Sequence, residues 1–368
     1  MLCALIMAGG KGTRFWPLST ADKPKQFLKL LGSETMIQMT VNRINKEIPL
    51  SRIFVCTTKN YVELVKDQLP NLNVNNIIVE PEGRNTAPCI TLSALMIKRR
   101  FKNANMIVLP SDHLIRDEEK FLQSIKEANE FLENNKNAII TLGMKANRVE
   151  TGYGYIKIDK EFFDGNVKKV QSFIEKPTFN KAREYFESNE YLWNSGMFLW
   201  NVNNIISLIR EHLPKTYNAL SFLLDIEDNK IYSEINKNYK NTNAISIDYG
   251  ILEKARNIYM IPCECGWDDV GNWTSVERYS DKDDVGNVFK AQGTLYNCKN
   301  NIVLTHKNIL LNDVENLIIV ETDDYIMMAH TTIDRISLEY NSKSTMTYDN
   351  PMFGVRRSTS QGVCKFLN

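Results

Sequence analysis

Apolar and polar positions follow two periods along the first half of the chain. Short β-rich runs occupy Leu2–Met7 and residues 53–57, 77–79, 106–109 and 138–142. Helix-periodic stretches separate them: Met36, Ile37, Val41 and Ile44 share one helical face, residues 86–101 carry Pro88 in a first turn, and residues 118–133 are amphipathic and charged. Strands alternating with helices predict an α/β fold, a Rossmann-like and mostly parallel sheet with crossover helices.

The alternation then breaks. Strand patterns follow Thr151-Gly-Tyr-Gly-Tyr155 and span Val167–Ile174, a helix is expected over Phe179–Ser188, and residues 193–200 (WNSGMFLW) read as a strand. A helical region containing Pro214, a helix over residues 247–254 and a strand over residues 258–262 precede WDDVGNW. Residues 280–286 (SDKDDVG) are charged and poor in apolar side chains, which marks a boundary. Beyond it, short β patterns at residues 301–305, 309–311, 317–320 and 325–328 suggest a small C-terminal β domain, β-helix-like. The division expected is 1–280, 287–341, and a tail, 342–368, without clear periodicity. No internal repeat stands out.

Composition narrows the functional classes. Of 368 residues, 43% are hydrophobic and 24% charged, ordinary for a soluble globular protein. A net charge of +1 implies no broad nucleic-acid surface, so any positive potential must be local. No apolar run approaches the roughly 18–20 residues of a membrane span, and residues 2–7 are too short for a signal peptide. The expectation is a cytoplasmic protein with no membrane partner. The seven cysteines are dispersed, and Cys263-x-Cys265 lacks zinc-knuckle spacing, so reduced thiols are expected. The four histidines make no metal-binding pattern.

The candidate chemistry begins after the first strand. Gly9, Gly10 and Gly12 stand beside Lys11, Thr13 and Arg14, with Lys25 following Pro24. Such a loop suits a polyphosphate, because glycines let backbone N–H groups approach the phosphates while the cations neutralise them. It is not a dinucleotide fingerprint, since Phe15 stands where the third glycine belongs, and it is not a Walker A loop. Asp112 follows the fourth strand, where a carboxylate suits Mg²⁺ or caps a helix. Asp268-Asp269 lies between Trp267 and Trp273, which argues for a packed setting. Glu175 and Lys176 end a strand and suit sugar hydroxyls and a phosphate, or form an ordinary exposed pair. Asn85 and Thr86 suit a base edge or an N-cap.

Taken together, AGGKGTRFWPLS, KPKQFL, EPEGRNTAP, LPSDH, TGYGYI, FIEKP, LWNSGMFLW, SIDYGILEK and WDDVGNW resemble the nucleotidyltransferases that activate sugar 1-phosphates. NTAP and LWNSGMF point to the guanylyltransferase branch acting on mannose 1-phosphate. The resemblance implies that Gly9, Gly10, Gly12, Thr13, Arg14 and Lys25 contact the triphosphate of GTP, with Ala8, Asn85 and Thr86 at the guanine. It implies Mg²⁺ on Asp112 and Asp269, mannose at Gly154, Glu175 and Asn194 with Asp248 nearby, and the sugar phosphate on Lys176. Arg14, Lys25 and Lys176 would carry catalysis. Asp268 departs from the more usual Ser, which leaves the choice between the two aspartates open. A bifunctional isomerase domain is not expected, and the β appendage suggests a homodimer. The rival readings are another hexose or heptose 1-phosphate, a metal-dependent glycosyltransferase, and a non-catalytic nucleotide-sugar sensor.

Overall fold

A computed structural model of the chain describes residues 1–331, apart from the side chains of residues 160–163, and a short antiparallel pair, Tyr340–Asn341 with Thr345–Met346. The rest of the tail expected at 342–368 lies outside the described residues. By packing, the chain divides into two compact units: Met1–Gly10 with Thr35–Asp269, and Lys11–Glu34 with the chain from Val270 onward.

The first unit carries a nine-stranded sheet. Its strands are β1 (Leu2–Met7), β2 (Ile53–Thr58), β3 (Ile77–Glu80), β4 (Asn105–Pro110), β5 (Ile139–Lys145), β6 (Gly154–Asp164), β7 (Val167–Ile174), β8 (Tyr191–Asn201) and β9 (Ile258–Cys263). They lie in the order β3-β2-β1-β4-β8-β5-β9-β7-β6, with β6 also paired to β8. The pairings among β3, β2, β1 and β4 are parallel, as is β5 with β9. Strand β8 enters antiparallel between β4 and β5, so the sheet becomes mixed where the sequence pattern loses its alternation. Residues 2–6 of β1 are buried without a polar interruption, which marks a strand covered on both faces.

The helices are α1 (Met36–Asn45), α2 (Val62–Gln68), α3 (Thr86–Arg100), α4 (Glu118–Asn134), α5 (Phe179–Ser188), α6 (Val202–His212), α7 (Pro214–Leu220) and α8 (Ile231–Asn238). Local chemistry sets their starts. Thr35 and Gln38 form a capping box at α1, Asp117 accepts from the Lys120 N–H at α4, and Pro214 opens α7. The main core joins α3 and α6 to the sheet through residues such as Ile90, Leu92, Ile205, Phe198 and Trp200. The helix expected over residues 247–254 is a π-helical turn, Asp248–Leu252. Among the described residues, no helix is long and apolar enough to cross a membrane.

The second unit joins the loop Lys11–Glu34 to α9 (Trp273–Arg278), β10 (Val288–Tyr296), β11 (Ile302–Asn312), β12 (Leu317–Glu321) and β13 (Ile326–His330). Fully buried Phe15 meets Trp273 edge-on at 5.1 Å, which binds loop and later chain together ahead of the apolar-poor stretch 280–286. Strands β10, β11 and β12 pair in parallel, and β13 returns antiparallel. The β runs read separately at residues 301–305 and 309–311 are one strand, and β10 went unread because Lys290, Gln292, Gly293 and Thr294 break its apolar pattern. The parallel coil repeats through its corners rather than its strands. Asn297 and Asp313 are sixteen residues apart, hydrogen-bonded and both left-handed, as are the backbones of Asn300 and Asn316.

Candidate active site

The glycine-rich loop leaves the end of β1, where Ala8 is fastened on both sides. Its N–H donates to the Cys56 carbonyl at 2.8 Å, and Thr57 Oγ1 donates to its carbonyl at 2.9 Å. Space is tight next, because a Cβ on Gly9 would lie 3.0 Å from Glu80 Oε2 and the carboxylate would have to give way. Gly10 has open space instead, and it is exposed. Within the second unit, Gly12 adopts a left-handed φ of 32°, and its carbonyl accepts from the Lys25 N–H at 3.2 Å. A side chain there would meet Lys25 N at 3.0 Å, so Gly12 and Lys25 depend on each other. Thr13 and Arg14 are exposed, whereas Lys25 is only 4% exposed. The Phe15 N–H donates to Ser19 Oγ at 2.9 Å, which pins the base of the loop.

Asn85 begins α3 with φ 70° and ψ −176°, a backbone region nearly reserved for glycine. Its side chain accepts from the Thr86 N–H at 2.8 Å, so it caps the helix. Thr86 Oγ1 accepts from the Ile247 N–H at 2.8 Å and thereby joins this helix start to the turn that carries Asp248.

Asp112 follows β4 on a segment held at both ends. The Ser111 N–H reaches the Met7 carbonyl at 3.2 Å, and Leu114 pairs with Asp268 through two backbone hydrogen bonds of 2.9 and 3.1 Å. Trp267 Nε1 donates to His113 Nδ1 at 3.0 Å across the same pair of segments. The structure thus joins the chain around Asp112 to the chain around Asp269. The adjacent aspartates differ sharply. Asp268 is 1% exposed and lies 3.5 Å from Arg148, whose guanidinium stacks over Trp193 at 5.0 Å. Asp269 is half-buried and accepts a 2.6 Å hydrogen bond from Tyr153. Burial, then the two aspartates, push the Tyr153 hydroxyl well above its ordinary range, which keeps it a donor. Val270, a β-branched residue at φ 48°, follows directly.

Four of the residues expected at a sugar converge from β6, β8, the residue after β7 and the π-helical turn. Gly154 on β6 pairs with Asn194 on β8, and a Cβ on Gly154 would fall 2.5 Å from Glu175 Oε2. Asn194 Nδ2 donates to Asp248 Oδ1 at 3.2 Å, and its own Oδ1 accepts from the Gly196 N–H at 3.1 Å. Burial first, then the charge of Glu175, raise the Asp248 carboxyl above its ordinary range. Lys176 Nζ stands 3.4 Å from Glu175, its side chain 66% exposed on a backbone of φ 43°. Two carboxylates, an amide and a cation around a missing side chain can hold a polyhydroxylated anion.

A model of the family described as nucleotidyl transferase matches residues 3–284. The chain belongs to the nucleotidyl transferase family. It is 36% identical over 357 residues to a mannose-1-phosphate guanylyltransferase of Salmonella montevideo, covering 92% of this chain and 74% of that protein. An Escherichia coli protein of the same description is 35% identical, with 89% and 72% covered. A solved structure described as mannose-1-phosphate geranyltransferase, from Thermus thermophilus, superposes with a TM-score of 0.80 at 29% identity, covering 90% of this chain and 96% of that one. The α/β nucleotidyltransferase fold with a β-helix-like C-terminal region is therefore established.

Three site neighbours in this nucleotidyltransferase escaped the sequence reading. Tyr153 and Arg148 act on the aspartate pair, and Glu80 underlies Gly9. A tyrosine between two glycines was the available signal for Tyr153. Nothing local marked Arg148, which lies on a different segment from its partner.

Proposed function

We propose that this nucleotidyltransferase transfers GMP from GTP to α-D-mannose 1-phosphate, forming GDP-mannose and pyrophosphate. The observation that carries the reading is the convergence of Glu175, Asn194 and Asp248 around Gly154, in a chain whose relatives are named for that substrate. A sugar phosphate is already an anion, so its oxygen attacks the α-phosphorus of GTP in line without a protein base. Catalysis then rests on positioning and charge neutralisation. Gly9, Gly10, Gly12, Thr13, Arg14 and Lys25 grip the triphosphate, and Ala8, Asn85 and Thr86 border the guanine. Gly154, Glu175, Asn194 and Asp248 orient the mannose, while Lys176 holds its phosphate.

The oxygen donors of Asp112 and Asp269, on segments joined through Leu114 and Asp268, fit a hard cation. We assign Mg²⁺ to that pair and leave Asp268 to Arg148. When bound, Mg²⁺ would neutralise charge on the phosphate oxygens. Tyr153 keeps one Asp269 oxygen in place, and Arg148 offsets the buried charge next to it. We further place residues 1–280 as the catalytic segment with 287–341 appended, and the protein as a cytoplasmic homodimer. Exposed Tyr296, Leu310, Ile326 and Met328 supply apolar surface for self-association.

An assay of four nucleoside triphosphates against several hexose and heptose 1-phosphates tests the substrate reading. GTP with mannose 1-phosphate should give the highest kcat/KM, and GDP-mannose with pyrophosphate should regenerate GTP. Equal turnover of another pair would refute it.

A further inference from the structure

We propose that Cys56, Glu80 and Cys89 form a binding site for one soft divalent cation of the zinc type, separate from the oxygen-donor pair Asp112 and Asp269. The three residues come from β2, the end of β3 and the first turns of α3, so only the tertiary fold assembles them. One ligand atom from each, two sulfurs and a carboxylate oxygen, all lie within 4.8 Å of one another. A tetrahedral ion with bonds of about 2.3 Å to sulfur and about 2.0–2.2 Å to oxygen needs its ligands roughly 3.4–3.8 Å apart. Side-chain shifts of about 1 Å therefore suffice.

The setting matches the donor set. Cys56 is fully buried, Glu80 is 4% exposed and Cys89 is 5% exposed. A carboxyl is costly at such a place, and among the described residues no Lys or Arg pairs with it. Tyr239 donates to Glu80 Oε1, which fixes the carboxylate as an outer-shell partner does in built metal sites. The other oxygen points to Gly9, where a Cβ would intrude to 3.0 Å. Thiolates select a soft ion, whereas Asp112 and Asp269 offer only hard oxygens. Binding replaces the two thiol protons and any proton held by the Glu80 carboxyl, all of which leave to solvent, and no electron transfer is involved. Cys263 and Cys265 lack a third ligand among the described residues, so they serve as the control pair.

The test titrates chelator-treated, reduced full-length protein with Cd²⁺, reading the ultraviolet charge-transfer band of cadmium–thiolate bonds. The expected result is one tightly bound ion with two thiolates, and a rise in Tm. Cys89→Ala and Glu80→Gln should each weaken binding at least roughly tenfold, whereas Cys263→Ala/Cys265→Ala should leave it unchanged. The cadmium–thiolate band is read first in the unaltered protein, so the result does not depend on a variant folding. Absence of the band at equimolar metal, or its loss only with Cys263 and Cys265, would overturn the site.

Discussion

The two regions proposed to bind the substrates are built in opposite ways. The glycine-rich loop carries Gly9, Gly10, Gly12, Thr13 and Arg14 in one stretch of chain, and a backbone hydrogen bond from the Lys25 N–H to the Gly12 carbonyl ties in the second cation. The sugar cluster takes Gly154, Glu175, Asn194 and Asp248 from β6, the residue after β7, strand β8 and a π-helical turn. The loop's chemistry is contiguous and its shape depends on glycine. The cluster's chemistry depends on strand register, since Gly154 and Asn194 are neighbours only because β6 pairs with β8. A change in the loop should therefore act on one substrate alone, whereas a change in the cluster should act through geometry shared by several elements.

The largest effect should come from the aspartate segment proposed to hold the metal. Asp112→Ala is expected to lower kcat by roughly a thousandfold, the scale of losing a preorganised electrostatic group, with unchanged circular dichroism. Near-normal turnover would break the metal assignment. Lys25→Ala should cost roughly a hundredfold in kcat/KM for GTP and leave KM for mannose 1-phosphate within about twofold. Equal damage to both substrates would show that the loop is not a separate nucleotide grip.

Gly154→Ala tests the cluster in the complementary direction. The added methyl would displace the Glu175 carboxylate, raising KM for the sugar phosphate by about tenfold, or about 1.4 kcal/mol, while KM for GTP holds. Steady-state kinetics with each substrate varied in turn decides this. If instead KM for GTP rises, Glu175 does not serve the sugar.

The smallest effect concerns the floor of the loop. Burial pushes the Glu80 carboxyl from 4.5 up to about 7, so the native state retains a proton that the unfolded chain releases. Its contribution to stability is full below pH 4.5 and is lost as pH rises through 7. In metal-free protein, Glu80→Gln should flatten the fall in stability across that window, by at most about 3 kcal/mol, read as Tm against pH. An unchanged slope would show that Glu80 titrates normally.

Much of the fold was legible because its signals are local. Leu2–Met7, Val167–Ile174 and Phe179–Ser188 span the residues that their periodicity marks, since each is decided by side chains a few positions apart. Strand β10 was not, because its polar residues are tolerated by pairing with β11 rather than by any alternation of their own. The glycine-lined loop and the family motifs were equally plain in the sequence. Which aspartate is paired off was not, since Asp268 and Asp269 are adjacent and both flanked by apolar residues.

The sequence alone determined many of the elements, the triphosphate-like loop and the family. The tertiary structure decided the rest: Arg148 against Asp268, Tyr153 on Asp269, Asn194 on Asp248, and two thiols beside Glu80. Local periodicity records what each segment buries. Burial of a charge and its partner depend on strand register and helix placement, and those are set by contacts between residues far apart in the chain.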